Sequence, residues 1–174
     1  MSLSKIDKFV KEVKHTEIID ISEWCSFDLV KIFPEYEHGQ RLTKAYRIPG
    51  DLPLVTAGQF DNGIKQYVKP NKNNKIFENC VTIDMFGKCF YQEGKFICDD
   101  NIYPIKPIKN KFVGLFLAAV FNKTINFDFK KQFRLKHLIN VKIKLPVDSN
   151  GEPNWEYMEN YMKKLCDKIE SALV

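Results

Sequence analysis

The chain has 174 residues, a formal net charge of +5 and a pI near 8.8. This length accommodates one domain with a proper core, with or without an appendage, and excludes a large multidomain enzyme. The longest apolar run, residues 112–121, is too short to cross a membrane, and no signal-peptide pattern opens the chain. We therefore expect a cytoplasmic protein without membrane contact, whose mildly basic surface suits a polyanion.

Residue types that hold metals or cofactors follow no recognisable pattern. The chain has five cysteines, an odd number, and none of them forms a C-x-x-C pair or a Cys/His cluster. The histidines are scattered, and the sequence contains neither a glycine-rich phosphate loop nor a recognisable nucleophile motif. We expect reduced cysteines, no metal and no cofactor.

The first predicted element is a short helix in the lead-in segment, residues 1–19. Ser4 and Asp7 resemble a capping box, and apolar residues then follow at helical spacing. From about Leu52 onwards, short β-type runs alternate with Gly, Pro and Asn. These runs cover residues 54–57, 66–68, 80–85, 89–92, 95–98 and 102–105. Their lengths and punctuation predict a small, irregular sheet.

Two further local patterns lie in the second half of the chain. The runs 89–92 and 95–98 flank Glu93-Gly94, a spacing that predicts a β-hairpin with a two-residue turn. Residues 112–121 are apolar on nearly every side, which favours a buried helix.

The chain ends in a predicted hinge and helix. A short apolar strand, residues 143–147, leads through a turn to Pro153, which fits the first turn of a helix. Apolar residues then follow at alternating spacings of three and four, which is the pattern of a coiled-coil seam. The seam consists of Trp155, Met158, Met162, Leu165 and Ile169. Two interpretations remain open: the helix packs on its own domain, or it pairs with a partner helix.

The order of several segments resembles a known family. An aromatic opening at residues 24–33 precedes Gly39-Gln40-Arg41-Leu42 and the run 48–58, and these are followed by Asp61-Asn62-Gly63, by 82–92, by 99–103 and by the hinge Leu145-Pro146-Val147. Together they resemble the target recognition domain of specificity subunits in restriction-modification enzymes, of type I and of the related types IIB and IIG. Most of the chain, from about residue 24 to the end, takes part in this resemblance.

The resemblance implies a fold and a function. It implies an α+β fold in which a small mixed sheet with flanking helices, residues 20–147, precedes a hinge and coiled-coil-like helical stalk, residues 148–174. The implied function is to bind a short sequence in double-stranded DNA. The implied partners are methyltransferase and endonuclease subunits or domains, together with a second copy or second recognition domain that joins through the C-terminal helix. Catalysis would then belong to those partners.

Two sets of polar residues are candidates for DNA contacts. Side-chain amides can pair with the donor and acceptor that adenine presents in the major groove, and the candidates are Gln59, Asn62, Gln66, Gln92 and Asn101. Lysines can pair with phosphates, and the candidates are Lys65, Lys69, Lys72, Lys75, Lys88 and Lys95.

Two other functions remain as alternatives. Asp84 with Glu93 and Lys95 superficially matches the acidic residues and lysine by which many nucleases hold a divalent metal beside a phosphodiester. The hairpin turn explains Glu93-Gly94 better, because the nuclease motif needs its Glu and Lys on one rigid strand. A protein-assembly module that does not bind DNA is the other alternative.

Overall fold

The computed structural model describes residues 19–106 and 108–173. The helix predicted after Ser4 lies outside these residues. The strands are β1 (Cys25–Asp28), β2 (Glu35–Tyr36), β3 (Ile48–Val55), β4 (Ile64–Lys69), β5 (Phe77–Asp84), β6 (Cys89–Cys98), β7 (Ile102–Lys106) and β8 (Lys142–Leu145). The helices are α1 (Leu29–Ile32), α2 (Lys111–Thr124) and α3 (Trp155–Leu173).

Six of the described strands form one mixed sheet, in the order β2-β7-β5-β6-β3-β4. Neighbouring strands are antiparallel except β3 and β6, which run parallel and pair Leu54 with Ile97. Strands β1 and β8 form a separate antiparallel pair. The predicted α+β fold with a small mixed sheet is confirmed.

The hairpin predicted at Glu93-Gly94 is wrong. Strand β6 runs unbroken from Cys89 to Cys98, and it forms its hairpin with β5 instead. Glu78 pairs with Lys95 and Cys80 with Gln92, so two residues of β6 stand opposite the single residue Asn79. Gly94 has a φ of +73° because it sits in this β-bulge. A glycine with positive φ serves a bulge as well as a turn, so the local sequence could not separate them.

The predicted buried helix is confirmed as α2, which lies across the sheet. Phe121 and Leu117 are fully buried in the main core. A Cβ at Gly114 would lie 2.2 Å from the Tyr91 ring of β6, so glycine lets helix and sheet approach closely. Asn110 caps the helix by accepting a hydrogen bond of 3.0 Å from the Val113 N–H.

The first half of α3 packs on its own domain. Met158 is 0% exposed in the main core, and Trp155 packs edge-on against Phe33 at 6.2 Å between ring centroids. The amide of Asn110 donates a 2.7 Å hydrogen bond to Glu159. Met158 is therefore unavailable to a partner helix, which corrects its assignment to the seam, and Trp155 and Met162 also pack against this core. Leu165 and Ile169 follow as half-buried residues farther along the helix.

Candidate functional site

The carboxylate of Asp84, at the end of β5, connects two of the loops beside the sheet. Its Oδ1 accepts hydrogen bonds of 2.8 Å from the N–H groups of Phe86 and Lys88, and its Oδ2 accepts one of 3.1 Å from Gly58. The side chain is buried, and this burial raises the pKa of Asp84, while the three backbone donors act in the opposite direction. The carboxylate therefore ties the β3–β4 loop to the β5–β6 turn.

Gln92 provides a second connection to the β3–β4 loop. It is 4% exposed, and its Nε2 donates a hydrogen bond of 2.7 Å to the backbone oxygen of Asn62. Asn62 has a φ of +52°, a left-handed conformation that asparagine adopts more readily than most residues. A buried amide cannot reach a base, so the structure corrects the assignment of Gln92 to base contact. Gln92 instead holds the backbone of Asn62 in position.

Two more segments meet the β5–β6 turn. The amide of half-buried Asn101 donates to the sulfur of Met85 at 3.1 Å, and the Phe133 N–H donates to the Met85 oxygen at 2.8 Å. Gly87, with a φ of +78°, lies so close to Ile125 that an added Cβ would be 3.0 Å from its oxygen. Together these contacts define an Asp84 loop surface, formed by residues 56–63, 85–88, 99–101 and 126–133.

The exterior of the Asp84 loop surface combines amide, basic and aromatic side chains. Gln59 and Lys88 are exposed, and Phe60 and Phe129 are 82% and 80% exposed. Beside the loop that carries Asn62 lies an open groove of about 490 Å³. Its lining residues are Asp61, Asn62, Ile64, Lys65, Gln66 and Tyr67. Polar groups that can contact base edges and phosphates therefore lie together here.

The predicted phosphate-binding lysines do not form one group. Lys65 lines the groove, and Lys88 lies in the β5–β6 turn. Lys69 lies across from Ile48 on β3, and Lys95 pairs with Glu78 on β5. Lys72 and Lys75 belong to the β4–β5 connection, where Lys75 forms an ion pair with Glu37 and donates its backbone N–H to Gln40. Lys65 and Lys88 alone, of the six candidates, accompany the amides of the Asp84 loop surface and its groove.

The geometry contradicts a shared metal at Asp84 and Glu93. The register places Glu93 opposite Asn79, five residues from Asp84 along β5, which is about 16 Å at the usual rise per residue. Glu93 forms a 3.0 Å ion pair with Lys111. Within residues 19–106 and 108–173, no group of three or more His, Cys, Asp or Glu side chains could hold a metal ion.

The residues predicted from the sequence include neither the segment 126–133 nor the exposed phenylalanines. The signal that was available is Asp128-Phe129-Lys130-Lys131, a basic turn with an aromatic residue inside it. Asp128 accepts hydrogen bonds of 2.8 Å from the N–H groups of Lys130 and Lys131, as turn aspartates do. The contact between segment 126–133 and the β5–β6 turn joins parts of the chain that are distant in sequence, so no local sequence pattern predicts it.

A family model and one relative each match most of this chain. The family described as Type I restriction modification DNA specificity domain matches residues 21–173. The Type II restriction enzyme BgcI specificity subunit S.BcgI of Heyndrickxia coagulans is 29% identical over 155 residues, which cover 84% of this chain and 44% of that protein.

Solved structures share the fold. The S subunit of a Type-I restriction-modification system from M. genitalium superposes with a TM-score of 0.60 at 15% identity, over 90% of this chain and 42% of that one. The HsdS subunit from Thermoanaerobacter tengcongensis gives 0.59 at 14% identity, over 97% and 46%. The chain thus spans less than half the length of these relatives. In the described part of the chain, every helix is too short or too polar to cross a membrane.

Proposed function

The chain belongs to the family of type I restriction modification DNA specificity domains, and from this premise we propose that it binds a short duplex DNA sequence through the Asp84 loop surface. The observation that carries the proposal is the convergence of four loop segments within the region that the family covers. The buried Asp84 carboxylate ties two of them together, and the other two pack on the β5–β6 turn. A rigid scaffold that holds several loops together is a common way to present binding residues.

We assign base contacts to the accessible amides. Gln59, Asn62 and Gln66 are exposed or half-buried around the loop and its groove, and side-chain amides pair with adenine in the major groove. Asn101 is half-buried, and its donor is directed at Met85, so it has less freedom to reach a base. Lys65 and Lys88 supply phosphate contacts that fix orientation on the duplex.

The proposed biological role is to position methyltransferase and endonuclease activities on the bound sequence. Support comes from relatives that are named as specificity subunits of restriction systems. We propose residues 20–147 as the recognition body and 148–174 as hinge and stalk. Leu165 and Ile169, which lie beyond the packed half of α3, would contact the helix of a second copy or of a second recognition domain.

Salt-dependent binding tests the DNA contact. The slope of log affinity against log salt concentration is negative, and each lost phosphate contact should reduce its magnitude by about 0.9. We expect this reduction for the double variant Lys65→Gln/Lys88→Gln, measured by fluorescence anisotropy on duplex DNA. The matched control, Lys72→Gln/Lys75→Gln, removes the same charge outside the loop surface and should change the slope less. Equal slopes in both variants would contradict the assignment.

Plasmid incubation tests the nuclease alternative directly. With Mg²⁺ present, supercoiled plasmid should stay intact in the presence of the chain alone, because the proposed catalytic activities belong to its partners. Reproducible cleavage that disappears in Glu93→Ala would instead establish the nuclease.

A further inference from the structure

Phe129 is an exposed aromatic residue on a turn that is already ordered. It is 80% exposed, although burying a phenylalanine is usually favourable. The turn is closed by a 3.1 Å hydrogen bond from the Asp128 N–H to the Lys131 oxygen, and the Asp128 carboxylate accepts two more from within the turn. Holding the ring in place for a partner therefore costs little conformational entropy.

The ring is also supported from one side. Phe86, in the β5–β6 turn, stacks on Phe129 with 6.3 Å between ring centroids and 19° between ring planes. The N–H of Phe86 donates to Asp84, so the supporting ring is anchored to the centre of the loop surface. Phe86 covers one face, which leaves an edge and one face of Phe129 for contact.

The surroundings of Phe129 suit a polyanion. Lys130 and Lys131 follow it directly, and Lys88 lies in the turn that supports it. The adjacent acidic residue, Asp128, already accepts two backbone hydrogen bonds. An apolar tip with basic neighbours matches the DNA major groove, where the thymine methyl group is the apolar feature between flanking phosphates.

We propose that Phe129 contacts the 5-methyl group of a thymine in the recognised sequence and thereby contributes to specificity. This inference rests on the proposed function, since it needs the loop surface to face the major groove. Phe86 acts as a positioning residue that holds the Phe129 ring. The methyl group would be enclosed by the free edge and face of the ring, in the way that apolar side chains discriminate thymine.

Replacing thymine by uracil removes this methyl group and nothing else from the base. A binding site is first selected by the protein from a random-sequence duplex library. Affinity is then measured for the selected duplex and for the same duplex with uracil in place of one thymine, each thymine being replaced in turn. At one position, removing the buried methyl group should weaken binding by the wild-type chain roughly fourfold. Phe129→Asn should bind the thymine and uracil duplexes equally at that position, whereas Phe129→Leu, which keeps an apolar tip, should retain part of the discrimination.

Phe60→Asn is the matched control, because Phe60 is equally exposed on another segment of the same surface. It should keep the preference for thymine. A selected site without thymine, equal affinity of the wild type for the selected duplex and every uracil duplex, or discrimination that survives in Phe129→Asn would each overturn the inference. Failure to select any sequence would overturn the proposed function itself, so the two failures are distinguishable.

Discussion

Replacing Gln92 should destabilise the β3–β4 loop, which carries Asn62. Gln92→Leu keeps most of the side-chain volume but removes the Nε2 donor, so the Asn62 oxygen loses its 2.7 Å hydrogen bond. The hydroxyl of Thr82, 3.4 Å from the same nitrogen, loses a neighbour as well. Gln92→Ala removes the same donor and leaves a cavity in addition.

The expected loss of stability follows from the cost of the unpaired Asn62 carbonyl. Leaving a partly buried carbonyl unpaired costs about 1–3 kcal/mol. For a chain of this length each kcal/mol lowers the melting temperature by about 2–4 °C. We therefore expect Gln92→Leu to melt about 2–12 °C below the wild type, and Gln92→Ala to melt lower still.

Binding assays separate a positioning role from a base contact. If Gln92 positions the loop, Gln92→Leu should lose affinity for a selected duplex while keeping its affinity for random duplex, because phosphate contacts are unaffected. Calorimetry and anisotropy on the same preparation measure both effects. A variant with unchanged melting temperature and altered preference at a single base pair would refute this account and return Gln92 to the base contacts.

Three further predictions concern other parts of the fold. Burial raises the pKa of Asp84, so the native state keeps this proton to higher pH than the unfolded chain does. The unfolding free energy of the wild type, relative to that of Asp84→Asn, should therefore fall as pH rises from about 4. Urea titrations that show no such fall would contradict this prediction. Met158→Ala should cost about 2–5 kcal/mol in chemical denaturation because the side chain is fully buried, and a cost below about 1 kcal/mol would contradict the packing of α3. Leu165→Asp should abolish association in sedimentation and leave the melting temperature unchanged; a lower melting temperature with unchanged association would place Leu165 on its own domain.

Periodic elements could be predicted from the sequence. Helix α2 follows from residues that are apolar on nearly every side, and α3 follows from its apolar spacing. Helix α3 begins at Trp155, two residues after Pro153, and Asn154 caps it by accepting a 2.9 Å hydrogen bond from the Tyr157 N–H. The prediction of a hairpin at Glu93-Gly94 was wrong because a bulge and a turn both accommodate a glycine with positive φ. Pairing between β5 and β6 decided the outcome, and pairing is a tertiary property.

Residue type predicts the kind of site but not which of the candidate side chains are accessible. Amides and lysines pointed to DNA contact, but Gln92 and Asn62 have equally polar side chains, and the packing of the sheet alone makes one buried and the other exposed. Residue type made Asp84 a candidate metal ligand, whereas its three backbone hydrogen bonds give it a structural role. Local sequence does not predict the support of the Phe129 ring, because its stacking partner Phe86 lies far away in the sequence.

Mapping methylated motifs in the host genome, with and without the gene for this protein, tests the central proposal most directly. If the chain supplies sequence specificity to a restriction-modification system, one methylated motif should disappear in the deletion strain and return on complementation. Other motifs should stay unchanged. An identical set of methylated motifs in both strains, with the protein expressed in the parent, would contradict the proposed function.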